Sequence, residues 1–234
     1  MAKSRSSRPA RSVTRAVGKL QGRSEPTTLP PDACIQAIQN NGWTREVEAS
    51  LLSASDLSQL APETVSILVT EATRRNDPDL WRLSAAVAER RNENQDAIRY
   101  ATDALNLRPN DVEAMTLLAQ LYEKQDDSAA SVQWHRRIVD IDPQSLNSNR
   151  ALARFYYGRG EYDTAIQYLG RLLDLEPEAR NNKLYWLLAT VKSTGLHGLA
   201  QPLTRVRRWR NFTEEEESLA HELFVLVGKQ CLQT

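Results

Sequence analysis

The chain has 234 residues, of which 41% are hydrophobic and 26% charged, a balance too apolar for an intrinsically disordered chain and sufficient for a sizeable core. Nine Gly and ten Pro exclude collagen-like and low-complexity classes, two Cys exclude a disulfide framework, and no apolar run approaches the roughly 20 residues of a membrane span. Formal net charge is zero, yet residues 1–23 hold Lys3, Arg5, Arg8, Arg11, Arg15, Lys19 and Arg23 with no acid, so a +7 segment precedes a body of −7.

Residues 1–30 read as a basic tail, disordered or helical only when bound. Wound as a helix, it gathers Arg8, Arg11, Arg15 and Lys19 on one side and Val13, Ala16, Val17 and Leu20 on the other. That wheel suits a solvated tail, an arm for nucleic acid or an acidic partner, or a helix on an anionic membrane surface. Rich in Ser and Arg and free of acids, the segment also resembles a mitochondrial transit peptide. The expected compartment is the cytoplasm, or the mitochondrial matrix if residues 1–23 are such a peptide.

Residues 31–77 predict three helices: Asp32 to Asn40, Thr44 to Ser53, and Pro62 to Arg75, where Pro62 suits a first helical position. The last two can form a degenerate pair. Cys34, beside Ile35 and Ile38, reads as a buried thiol.

Beyond residue 77 the chain repeats. Pro109, Pro143 and Pro177 stand 34 residues apart, and each closes a similar phrase: Leu105-Asn-Leu-Arg-Pro109, Val139-Asp-Ile-Asp-Pro143, Leu173-Asp-Leu-Glu-Pro177. In each, apolar residues lie four and two before a proline through which a helix does not continue. Asn92-Glu-Asn94, Gln125-Asp-Asp127 and Gly158-Arg-Gly160 fall midway, where a first helix turns into a second. Asp111 and Ser145 are placed to cap the helices that follow.

A 34-residue helix-turn-helix period closed by proline resembles the tetratricopeptide repeat family. With each proline at position 32, repeats run 78–111, 112–145 and 146–179. Trp81, Ala85, Ala97 and Ala104 then fit positions 4, 8, 20 and 27 of the first. Leu118, Ala119, Tyr122 and Ser131 fit positions 7, 8, 11 and 20 of the second, and Leu152, Ala153, Tyr156, Ala165 and Leu169 fit the third. Small residues at 8 and 20 let helices A and B approach, and large ones fill the space around them. Ala88 at position 11, and Ala101 and His135 at position 24, depart from the pattern. The resemblance implies an all-α, right-handed solenoid of antiparallel helix pairs in which each pair buries its apolar stripe against the next.

A fourth, degenerate unit covers 180–211, with Trp186 and Leu187 at positions 7 and 8, an interruption around Gly195 to Gly198 and a short second helix. Residues 212–234 then form a C-terminal capping helix, opened by the capping box Thr213-Glu-Glu-Glu216 and carrying Leu219, Leu223, Phe224 and Val227 at helical spacing.

Catalytic patterns are lacking: His135, His197 and His221 form no metal-ligand spacing, and no phosphate loop or Gly-x-Ser-x-Gly elbow occurs. No enzyme activity and no cofactor are expected. The resemblance places positions 2, 5, 9 and 12 of the A helices on a concave groove that takes a peptide or helix of a partner protein. The implied contacts are Arg82, Gln120, Asn147, Arg150, Arg154 and Tyr157. Arg150 and Arg154 share one helical face, where they can bind carboxylates or pair with neighbours such as Glu113 or Glu123. The expected function is a scaffold or adaptor, monomeric or weakly self-associating.

The rival is a nucleic-acid-associated protein using the tail (Arg8, Arg11, Arg15, Lys19) and the cluster Arg205, Arg207, Arg208 and Arg210 around Trp209. In that cluster Val206 and Trp209 also suit a buried stripe, with the arginines solvated and partly neutralised by Glu214 to Glu217.

Overall fold

The computed structural model describes residues 31–40, 47, 62–197 and 199–231. Among them lie eleven helices and no strand. None of the helices is long and apolar enough to cross a membrane.

The chain divides into two units, residues 1–71 and 72–234. In the first, α1 (Pro31–Gln39) buries Cys34, Ile35 and Ile38, a stripe at helical spacing, and burial pushes the Cys34 thiol above its usual pKa. Helix α2 (Pro62–Arg75) likewise turns Val65 and Leu68 inward. The basic tail and the expected helix over Thr44 to Ser53 lie outside the described residues, apart from a buried, helical Val47.

The second unit is a run of helix pairs: α3 (Pro78–Arg90) with α4 (Asn94–Leu107), α5 (Val112–Lys124) with α6 (Ser128–Ile141), and α7 (Leu146–Gly158) with α8 (Tyr162–Leu175). Then come α9 (Arg180–Thr194), the short α10 (Ala200–Arg207) and α11 (Glu214–Cys231). The starts of α3, α5, α7, α9 and α11 recur every 34 residues, so the register of the prolines outlasts the prolines themselves.

Local chemistry sets these boundaries. Asp77, Asp111 and Asp127 accept the amide hydrogens of Asp79, Ala114 and Ala130 at 2.9–3.0 Å, capping α3, α5 and α6. Ser145 does not cap α7; its hydroxyl donates to Ser148 Oγ at 3.2 Å, and the Asn149 amide ties down the turn by donating to the carbonyls of Pro143 and Ser145. Between the helices of each pair the chain turns through a left-handed residue, Asn92 (φ 60°), Asp126 (φ 59°) or Gly160 (φ 77°), residue types that tolerate that conformation. The next amide, of Glu93, Asp127 or Glu161, then reaches back 2.9 Å to the carbonyl of Ala88, Tyr122 or Tyr156.

Packing follows the expected small and large positions. Ala85, Ala97, Ala119, Ser131, Ala153 and Ala165 are all buried where paired helices meet. Where Ala88 and Ala101 replace larger residues, Trp81 and Tyr100 close to 5.8 Å between ring centroids nearby. His135, standing where a large apolar residue is usual, is buried with both ring nitrogens satisfied, Nδ1 at 3.1 Å from Ser148 Oγ and Nε2 at 3.2 Å from Glu123 Oε1. At the C-terminal end α9 packs on α8 and on α11. Thr213 and Glu216 exchange backbone-to-side-chain bonds of 3.0 and 3.3 Å, a capping box that fixes the start of α11.

A bidentate ion pair clasps the first repeat. Arg108 donates to both oxygens of Asp79 at 2.7 and 3.1 Å, and that bond, with the nearby Arg82, holds the Asp79 carboxyl below its usual pKa against the opposing effect of burial. A lowered folded pKa means the stabilisation is complete above the ordinary carboxylate value of about 3.9 and is lost as pH falls through the lower folded value. With Arg108 half exposed, Asp79→Asn should cost about 1 kcal/mol or less at neutral pH. In urea titrations at pH 7 and pH 2.5 that deficit should shrink on acidification; a deficit independent of pH would count against the clasp.

Candidate functional site

The positions of α3 and α5 expected to face a groove are tied together by charge. Arg82, buried along most of its side chain, sits 2.5 Å from Glu113 and 3.6 Å from Asp79, and Glu89 pairs with Lys124. Glu123 accepts from Ser131 and faces His135. Gln120 and Asn147 are exposed. Arg82 thus spans successive repeats and stands apart from the arginines of α7.

Those arginines line a pocket of about 220 Å³ between α7 and α9. Ala153 of α7 with Leu169 and Leu172 of α8 supply its apolar floor, and Tyr157 and Tyr185 form aromatic walls, their rings edge to face at 5.3 Å. The spacing of Arg150, Arg154 and Tyr157 along one helix brings all three to this place, as the sequence pattern requires.

The two arginines differ. Arg150 donates to Glu176 Oε2 at 3.0 Å, an oxygen that also accepts from the buried Asn182 amide at 3.3 Å. Its partner is therefore the glutamate just past the end of α8, not the expected Glu113 or Glu123, because α8 folds back alongside α7 and brings the residue that follows it to Arg150. Arg154 is exposed and makes no ion pair among the described residues.

The far wall comes from residues that sequence reasoning missed. Asn181 donates to Glu215 Oε2 at 3.0 Å, and Tyr185 is hydrogen-bonded to the same carboxylate; burial, then Glu215, raises the Tyr185 pKa. Asn181 Oδ1 is buried and accepts no hydrogen bond. On the near wall, Lys192 donates to Tyr157 Oη at 2.9 Å and to Glu222 Oε1 at 2.7 Å, its ammonium 4.7 Å from the centre of the Tyr157 ring. Burial alone would lower the Lys192 pKa, but the bonds to Glu222 and Tyr157 hold it above its usual value. Burial likewise raises the Tyr157 hydroxyl. The signal for the far wall was the register: Asn181 and Glu215 stand 34 residues apart, at position 2 of successive units.

Around α10, Val206 is buried and Trp209 half-buried, its ring tilted against Phe212 at 6.1 Å and covered by Arg180 at 5.3 Å. Arg205, Arg207, Arg208 and Arg210 are exposed. The expected neutralisation by Glu214 to Glu217 is not seen: among the described residues these arginines form no ion pair. Arg207 lies over the Phe224 ring instead, and Glu216 is taken by Thr213 and by Arg180 at 3.8 Å. Arg8, Arg11, Arg15 and Lys19 lie outside the described residues.

Comparison with known proteins agrees with the helix-pair fold. Residues 82–145 and 150–183 match family models of the tetratricopeptide repeat. Among solved structures, PilF of Pseudomonas aeruginosa is similar at 12% identity with a TM-score of 0.56, over 82% of this chain and 97% of its own. YrrB, a TPR protein with an unusual peptide-binding site, is similar at 8% identity and a TM-score of 0.55, over 94% and 98%. MamA from Desulfovibrio magneticus RS-1 is similar at 15% identity and a TM-score of 0.53, over 86% and 97%. No curated protein matches the sequence. At such identities the likeness to solved structures concerns the fold alone.

Proposed function

We propose, from the premise that this chain is a tetratricopeptide repeat protein, that it is a non-catalytic scaffold whose A helices bind a peptide or helix of a partner protein and so support assembly of a complex. The observation that carries the reading is the α7–α9 pocket, which joins an apolar floor to a cation, Arg154, that no carboxylate of the described residues satisfies. Arg150, Arg154 and Tyr157 orient the ligand there. Gln120 and Asn147 extend the contact along exposed groove positions, and Arg82 contributes at the near end, its guanidinium already held by Glu113. Peptide binding by YrrB, which shares the fold, agrees with such use.

A second reading assigns nucleic-acid binding to the tail and to Arg205, Arg207, Arg208 and Arg210, favoured by the exposure of those four arginines without ion pairs. One capture experiment separates the two. Full-length protein, residues 24–234 and the Arg150→Ala/Arg154→Ala variant serve as baits, with folding checked by circular dichroism and the catch identified by mass spectrometry. The groove reading expects a partner that both wild-type forms retain and the folded double variant loses. A catch that depends on the tail and dissolves with nuclease or salt would replace it with the second.

A further inference from the structure

Resting on the groove reading above, we propose that the α7–α9 pocket selects a partner segment by one large apolar side chain accompanied by a single carboxylate. Size is the first argument. At about 220 Å³ the pocket falls below the roughly 300 Å³ where small-molecule and cofactor sites begin, which suits one large side chain better than a whole ligand molecule. Ala153, Leu169 and Leu172 at its floor offer such a group nothing but carbon.

Charge sets the second requirement. Arg150 is neutralised by Glu176, while Glu215 across the pocket is satisfied by Asn181 and Tyr185. Arg154 remains as the cation open to an incoming group, and a guanidinium grips one carboxylate through two parallel bonds. A run of acids is disfavoured, because Glu176 and Glu215 flank the pocket and residues 24–234 carry a net charge of −7. Asn181, which lines the pocket, has a buried Oδ1 that accepts no hydrogen bond, and a small turn of its side chain would offer that acceptor to a backbone N–H of the bound segment.

The test uses fluorescein-labelled, end-capped heptapeptide pools titrated into the full chain by fluorescence anisotropy. Each pool has leucine or alanine at its centre and one aspartate, one asparagine or three aspartates among flanking serines and glycines. Leucine with one aspartate should bind about tenfold tighter than leucine with asparagine, the scale of one charge-assisted contact, and about tenfold tighter than alanine with aspartate, the scale of burying a leucine side chain in part. It should also bind tighter than leucine with three aspartates. Arg154→Gln should bring the aspartate-to-asparagine ratio to about one while the leucine preference stays. Glu176→Gln, by freeing Arg150, should let pools with added aspartate gain. An unchanged ratio in Arg154→Gln, or no discrimination by the wild type, overturns the selectivity. If the double arginine variant still loses its captured partner in that case, the groove reading survives; if it does not, both fall.

Discussion

Replacing Leu152 by alanine is expected to cost about 2–5 kcal/mol, a large fraction of the roughly 5–15 kcal/mol that holds an ordinary domain together. Leu152 is fully buried, and its cluster draws on Val132 and Val139 from α6, Leu169 and Leu172 from α8 and Ala189 from α9. The cluster to which Leu152 belongs therefore spans three successive repeats. Because each repeat of a solenoid touches only its neighbours, the loss should act locally and uncouple α7–α11 from α3–α6. Urea unfolding followed by circular dichroism and by hydrogen exchange should show the C-terminal helices opening at lower denaturant, with α3–α6 retaining their protection. A single transition at the wild-type midpoint would show that Leu152 is not the keystone its burial implies.

The difference between what the sequence discloses and what it conceals lies in which partners are local. The helix starts at Pro78, Val112 and Leu146 are legible because caps, turns and prolines are read within a few residues, and Asn92, Asp126 and Gly160 declare their turns by residue type. Arg150, Arg154 and Tyr157 reach one pocket because helical spacing alone places them on one face. The partner of Arg150 was not legible. Glu176 lies 26 residues away, and its claim over Glu113 or Glu123 depends on how α8 returns beside α7. Ser145 fails as a cap although its partner is local: Ser148 takes its hydroxyl, and what the sequence conceals is that Ser148 also meets His135 of α6. Arg205 to Arg210 misled in charge but not in packing: Val206 turns inward as its apolar character requires, while of the glutamates expected to neutralise the arginines Glu216 serves Thr213 and Arg180 and Glu215 serves Asn181.

Leu223→Asp should release α11 from the rest of the unit. Leu223 is fully buried in a cluster with Leu184, Leu187, Leu188 and Val191 of α9. A carboxylate there has no cation to pair with inside that cluster, and burying it costs several kcal/mol, more than the capping box at Thr213 and the weak tendency of a lone 18-residue helix can offset. Detachment of α11 is the cheaper escape, since α9 keeps its contact with α8. Amides of residues 214–231 should then exchange about 100-fold faster or more, while those of α3–α6 stay protected. The pocket should suffer as well: Asn181 and Tyr185 lose Glu215, and Lys192 loses Glu222 while still bonded to Tyr157. Leu223→Met, which keeps volume and apolarity, should leave exchange and ligand binding within about 1.5 kcal/mol of wild type, separating the buried charge from mere substitution at this position. Uniform exchange across all helices of Leu223→Asp would mean that α11 is an inseparable part of the solenoid, and unchanged exchange would mean that it is not seated on α9 in solution.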